Sequence, residues 1–296
     1  MPAIGFIGLG NMGGPMAANL VKADQHVLGF DVSPASREAS ARDGVQIVGN
    51  AKSTAENADV VISMLPAGAH VLSVWRDVLP LARQGTLFID CSTIDVASAR
   101  EAHKLAASYG IATLDAPVSG GVGGAKAATL TFMVGGSDHA FARGKPILEH
   151  MGKRVVHCGE AGNGQVAKIC NNMILGVSMI AVSEAFVLGE KLGLSHQALF
   201  DVASASSGQC WSLTSYCPVP GPVPASPANN DYKAGFAAAL MLKDLRLAKA
   251  AADSAKVNTS LGAHAAQIYE DFAQHGHSAA DFSAIIKLVR EQSKAG

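Results

Sequence analysis

Ala3-Ile4-Gly5-Phe6-Ile7-Gly8-Leu9-Gly10-Asn11-Met12-Gly13 is a short apolar strand that runs straight into a glycine loop. A second strand, His26-Val27-Leu28-Gly29-Phe30, ends in an acid at Asp31. That order is what a dinucleotide site needs: Gly8 permits the tight turn, Gly10 lets the backbone approach a pyrophosphate, and Gly13 lets the following helix, roughly residues 12–22, pack close to the sheet. Leu9, Asn11 and Met12 complete the loop, and the helix start offers N–H groups and a positive dipole end to the phosphates. The Asp31 carboxylate is expected to accept hydrogen bonds from both hydroxyls of an adenosine ribose. A 2′-phosphate there would face a like charge, so the cofactor expected is NAD rather than NADP. Arg37, a turn or two further on, reads as an exposed, solvated side chain.

The 296 residues, 49% of them hydrophobic, are enough for two domains with a core each. A net charge of −1 without charge runs offers no face to nucleic acid or to a membrane surface. Strand one begins at once, with no basic leader, and the longest apolar stretch, 173–182, is soon followed by Glu184. Neither export nor membrane insertion is expected, and the cytoplasm is the expected location. Five cysteines without CxxC spacing read as reduced thiols. His275-Gly276-His277 lacks acidic or cysteine companions, so no metal site is expected.

Up to about residue 160, short apolar strands alternate with helical stretches: Asp59-Val60-Val61-Ile62-Ser63-Met64-Leu65, then Thr86-Leu87-Phe88-Ile89-Asp90, then Ile111-Ala112-Thr113-Leu114-Asp115. Such alternation means a parallel sheet covered by helices. Ser53 with Glu56, and Asp95, read as helix caps. Leu130-Thr131-Phe132-Met133-Val134 and Arg154-Val155-Val156-His157-Cys158 are expected to extend the sheet at its edge. From Gln165 to about Leu192 there is no proline and nearly every face is apolar, which describes a long helix buried between domains. Everything downstream reads as helices, apart from the turn-prone Cys217-Pro218-Val219-Pro220-Gly221-Pro222-Val223-Pro224. The fold expected is α/β: a Rossmann-type dinucleotide-binding domain over 1–162, then an all-α substrate and oligomerisation domain over 163–296, joined by the long helix.

Strand ends on the carboxyl edge of a parallel sheet face the ligand crevice, which puts Leu65, Pro66 and Thr93 beside a cofactor. The loop Asp115-Ala116-Pro117-Val118-Ser119-Gly120-Gly121-Val122-Gly123-Gly124-Ala125 exposes backbone N–H groups and a hydroxyl, the donors a substrate carboxylate needs. Lys168 and Asn172 lie four residues apart and share one helix face. A lysine in so apolar a segment is costly unless paired or put to use. Lys243-Asp244 is a second charged couple on an apolar helix around residues 235–242.

The glycine loop Gly8 to Gly13, the loop 115–125, Gly162-Asn163-Gly164-Gln165-Val166-Ala167-Lys168-Ile169-Cys170-Asn171-Asn172 and Lys243-Asp244-Leu245 together resemble the β-hydroxyacid dehydrogenase family, essentially end to end. The resemblance implies that Lys168 is catalytic and that Ser119, Gly120 and Gly121 hold the substrate carboxylate while Asn172 fixes the substrate. It places Leu65, Pro66, Thr93 and Lys243 at NAD, gives Asp244 an orienting role, and makes Trp211 and Phe236 the apolar wall. Within the family the likeness is strongest to the branch that oxidises 3-hydroxyisobutyrate to methylmalonate semialdehyde in valine degradation. Oxidation of L-serine and reduction of tartronate or succinic semialdehyde are alternatives, as is a non-catalytic nucleotide-binding relative. Lys168, Asn172 and Ser119 together argue against the last. The family implies a homodimer or homotetramer.

Overall fold

A computed structural model describes residues 3–293. Contacts divide the chain into two units, one running to Lys168 and the other from Ile169.

The first unit is built on a six-stranded sheet of β1 (Ala3–Ile7), β2 (His26–Phe30), β3 (Gln46–Ile47), β4 (Val60–Ser63), β5 (Leu87–Asp90) and β6 (Ala112–Asp115). Its order is β3-β2-β1-β4-β5-β6, and every pairing is parallel. This is the doubly wound Rossmann arrangement, and the order reverses between β1 and β4, where such sheets bind ligands. Strands β4 and β5 are buried throughout, as strands covered on both faces must be. The covering helices are α1 (Gly13–Lys22), α2 (Pro34–Arg42), α3 (Gly68–Val78) and α4 (Val96–Ala107). Ser33 caps α2 with Pro34 in its first turn, and Asp95 caps α4 by accepting the Ser98 N–H. Ser53, expected as a cap with Glu56, lies instead inside a single 3₁₀ turn, where its own N–H and hydroxyl donate to Asn50.

The two apolar runs expected at the sheet edge form a sheet of their own. After β6, Pro117 has no N–H to continue a ladder. The chain turns into β7 (Val118–Ser119), which pairs antiparallel with β8 (Leu130–Val134), and β8 pairs parallel with β9 (Gly152–His157). An isolated bridge, Asp115 with Gly135 just beyond β8, joins the two sheets. Between these strands lie α5 (Gly121–Lys126) and α6 (Asp138–Leu148).

Helix α7 (Asn163–Lys191) begins in the first unit and continues into the second. There α8 (His196–Ser204), α9 (Trp211–Thr214), α10 (Ala238–Ala255), α11 (Ser260–Phe272) and α12 (Ile285–Gln292) follow. Met179, Ile180, Phe186 and Val187 of α7 join Met241, Leu245, Tyr269, Phe272, Phe282 and Ile285 in the helical core. The proline-rich stretch is irregular, as its composition demands. The expectation that α7 is buried all round does not hold: its most apolar window is 39% buried, and Ile174 and Leu188 are exposed. An apolar circumference calls for enclosure, and this chain encloses α7 on part of it. Its length and mean hydropathy of 1.7 would suffice to cross a membrane, but one face belongs to the helical core.

Candidate active site

In the first unit the glycine loop is set by collisions that any side chain would cause. Gly8 has φ +96°, and a Cβ there would run into the Met64 carbonyl. A Cβ on Gly13 would run into the Gly8 carbonyl, so α1 can approach the loop only without one. At Gly10 a Cβ would meet nothing within 4 Å. Its missing side chain therefore clears space outside the protein, which fits a pyrophosphate lying against that backbone. No side chain caps α1, and Gly10 and Asn11 are exposed at its start, so the helix end is open to an anion.

Asp31 follows β2, and its carboxylate is held from both sides. The Leu9 N–H donates to Oδ2 at 2.7 Å and the Ser33 N–H to Oδ1 at 2.7 Å. The carboxylate is thereby locked beside the glycine loop, with lone pairs left for ribose hydroxyls. Arg37 is half-buried rather than fully exposed. It donates to the Asp31 carbonyl at 2.6 Å, and its guanidinium lies 5.8 Å from the centre of the Phe30 ring.

Beyond β4 and β5 come Leu65, Pro66 and Thr93. The Leu65 N–H donates to Ser92 Oγ at 2.7 Å, and Ser92 Oγ donates to Asp90 Oδ1 at 2.6 Å. The two loops are thus fastened to each other through a buried carboxyl. Ser63 Oγ also donates to Asp90 Oδ1, at 2.7 Å. Burial pushes the Asp90 carboxyl up to about 6, against the opposing pull of the two serines.

Ser119 sits on β7, half-buried, opposite Thr131. Gly120 at φ +132° and Gly121 at φ +61° then turn the chain into α5, conformations open to glycine and strained for other residues. The segment read as a loop is therefore a strand edge, a glycine turn and a helix start, a cradle of positioned N–H donors. Lys168 is 6% exposed on α7. It lies one turn after Gly164, whose missing Cβ lets the helix start press against the Asp115 and Met133 carbonyls.

In the helical unit Asn172, one turn beyond Lys168, is buried and donates to Asp244 Oδ2 at 2.5 Å. Asp244, itself buried, orients that amide, and Lys243 precedes it on α10. Phe236 lies before α10 rather than on it, because Ala237 bridges to Asp281 and the helix starts at Ala238. Trp211 and Phe236 belong to one aromatic group. Trp211 stacks on Tyr216 at 4.8 Å, Tyr216 on Phe282 at 5.3 Å, and Phe236 meets Phe282 edge-on at 5.7 Å. Asp281, fully buried, holds this group by accepting from the Tyr216 hydroxyl and from the N–H groups of Gly235 and Phe236. Burial, followed by the Asp281 charge, pushes the Tyr216 phenol upward.

Sequence reasoning missed three buried polar groups, Asp90 and Gln165 within the quoted segments and Asp281 outside them. Among the described residues no group of three or more His, Cys, Asp or Glu is placed to hold a metal.

Known proteins identify the family. Residues 3–159 match the NAD binding domain of 6-phosphogluconate dehydrogenase, and residues 162–289 match the family described as NAD-binding of NADP-dependent 3-hydroxyisobutyrate dehydrogenase. A probable 3-hydroxyisobutyrate dehydrogenase of Mycobacterium tuberculosis is 55% identical over 100% of both chains. The 3-hydroxyisobutyrate dehydrogenase of Pseudomonas aeruginosa is 50% identical over 98% of this chain and 99% of its own. The solved structure of the Mycobacterium tuberculosis enzyme with L-serine superposes with a TM-score of 0.95, at 55% identity, over 98% of this chain and 99% of that one. With an NAD-binding sheet unit, a helical second unit and these relatives matched from end to end, the chain belongs to the 3-hydroxyisobutyrate dehydrogenase family of oxidoreductases acting on a CH–OH group.

Proposed function

We infer that this protein oxidises 3-hydroxyisobutyrate to methylmalonate semialdehyde with NAD, in the cytoplasm, as a homodimer or homotetramer. The observation that carries the reading is Lys168, a buried lysine one turn from the glycine-pinned start of α7, with Asn172 on the same face and fixed by Asp244. In this assignment residues 1–162 bind NAD and residues 163–296 serve substrate and assembly. Ser119 and the N–H groups of Gly120 and Gly121 hold the substrate carboxylate, and Asn172 orients the substrate. Bound NAD would supply the acceptor for the hydride of the carbinol carbon. Lys168 Nζ receives the hydroxyl proton as the C–O bond becomes a carbonyl, and returns it in the reverse direction. Asp31 and residues 8–13 anchor the cofactor, with Leu65, Pro66, Thr93 and Lys243 beside it. Trp211 and Phe236 wall the apolar side of the substrate.

L-serine is the second reading, since a relative at 55% identity is solved with it. Initial rates of NADH formation from 3-hydroxyisobutyrate, L-serine and other small hydroxy acids decide between them. The branched acid is expected to give the highest kcat/KM, and a preference for serine would reverse the order. Lys168→Arg keeps the charge but, with a pKa above about 12, cannot cycle a proton. It should lose roughly 10²–10⁴-fold in kcat with NAD affinity retained. Near-normal turnover by the arginine variant would remove Lys168 from proton transfer.

A further inference from the structure

The side chain of Gln165 is fully buried, and its amide reaches the residues on either side of Thr93. Nε2 donates to the Ser92 carbonyl at 2.7 Å, and Oε1 accepts the Ile94 N–H at 3.1 Å. One rigid planar group thus grips the backbone on both sides of Thr93. The same residue's N–H donates to Asp115 Oδ2 at 3.0 Å, while the Gly162 N–H donates to Asp115 Oδ1 at 2.8 Å. Asp115 is in turn held by His103, whose Nε2 donates to Oδ1 at 2.9 Å and whose Nδ1 lies 2.6 Å from Thr113 Oγ1. Ser92 carries the connection further, through its hydroxyl, to the Leu65 N–H and to Asp90. The loops after β4 and β5, the end of β6 and the first turn of α7 therefore share one buried network, and Lys168 is the next residue but two along that helix from Gln165.

We propose that Gln165 is a positioning residue that fixes the Thr93 loop and the register of Lys168 against each other, so that cofactor and proton acceptor are set by one side chain. The proposal rests on the dehydrogenase reading above. A misplacement of about 1 Å at a reacting group can cost on the order of 10²-fold in rate. A shared clamp removes that error from two groups at once, and an amide does it without introducing charge into a fully buried position.

Gln165→Met keeps the length of the side chain and deletes both bonds. Three measurements test it. Amide hydrogen exchange at Ile94, read in the protein without cofactor or substrate, should be faster in the variant; unchanged protection would show that the clamp does not act. Turnover per NADH-binding site, counted by fluorescence titration, should fall roughly 10–100-fold with the substrate KM changed less than about threefold. The deuterium isotope effect at the carbinol carbon should rise, because hydride transfer becomes slower than product release. A variant that only folds less well would lose binding sites and melt earlier, with normal turnover and isotope effect per remaining site, and that result overturns the proposal. Gln165→Glu supplies a second arm. Its protonated acid can donate to Ser92 and accept from Ile94, whereas its carboxylate can only accept. The ratio of its kcat to that of the wild type should therefore fall as pH rises, and a flat ratio counts against the clamp. Absence of NADH formation by the wild type with every hydroxy acid would overturn the dehydrogenase reading instead, while the exchange result would still report on the clamp.

Discussion

Asp90 shows how a single carboxyl can make the protein sensitive to pH at a distance from its chemistry. Oδ1 accepts from Ser63 and Ser92, while Oδ2 is buried without a hydrogen-bond partner. Desolvation is the largest influence and raises the pKa from 3.8 to about 6. The folded protein thus holds this proton more tightly than the unfolded chain does. The favourable contribution is fully present below about pH 4 and is lost as pH rises through about 6, which at about 1.4 kcal/mol per tenfold amounts to about 3 kcal/mol. Asp90→Asn keeps an acceptor for the two serines and cannot ionise. Urea unfolding should find the variant more stable than the wild type at pH 8, by up to about 3 kcal/mol, with the two converging near pH 4. A constant difference across that range would mean that Asp90 does not titrate there. No sequence pattern announces this residue or Gln165, because each has a partner far along the chain: Ser63 lies 27 residues from Asp90, and Ser92 lies 73 from Gln165. The glycines were legible because the turn and helix contact that require them lie within a few residues of one another.

At the scale of elements, the loop between β1 and α1 separates two uses of glycine that its sequence writes identically. Gly13 answers to the protein, since a side chain there collides with the Gly8 carbonyl, and Gly10 answers to whatever lies outside. Gly13→Ala should cost about 3 kcal/mol or more, the upper range for overpacking, and melt correspondingly early. Gly10→Ala should melt as the wild type does yet raise the NAD dissociation constant about tenfold or more, about 1.4 kcal/mol. Equal thermal losses would show that Gly10 is structural. The segment around Ser119 behaves differently, because its order comes from pairing across the chain. Ser119 lies opposite Thr131 on a strand of two residues, too short to reveal a period, so residues 115–125 read as a loop. The same shortness hid the separate sheet, whereas the long alternation of strands and helices before it made the parallel sheet plain. Ser119→Ala should raise KM for the hydroxy acid and leave NADH binding by fluorescence nearly unchanged. An equal loss of cofactor affinity would move the cradle to the cofactor.

For the whole molecule, α7 poses the question of what covers it. Ile174 and Leu188 are 66% and 62% exposed, and Leu192 just beyond the helix is 77% exposed. Two coverings are available to such a face: a bilayer or another subunit. A helix crossing a bilayer offers apolar side chains to lipid around its whole circumference for about 20 residues. Here Met179, Ile180, Phe186 and Val187 already face the helical core, and the first turn of α7 is bonded to Asp115. What remains is a stripe along one side, the shape of surface that a second helix covers. Burial at about 25 cal/mol per Å² makes each large aliphatic side chain on that stripe worth roughly 1.5–3 kcal/mol when a partner closes over it. A two-fold axis would count each contribution twice. Light scattering at micromolar concentration should therefore return a mass of at least two chains. Ile174→Glu with Leu188→Glu should lower that mass while far-UV circular dichroism keeps its helical signal, because neither side chain belongs to the buried core. A monomeric wild type that floats with lipid vesicles would reverse the choice and assign the stripe to a membrane.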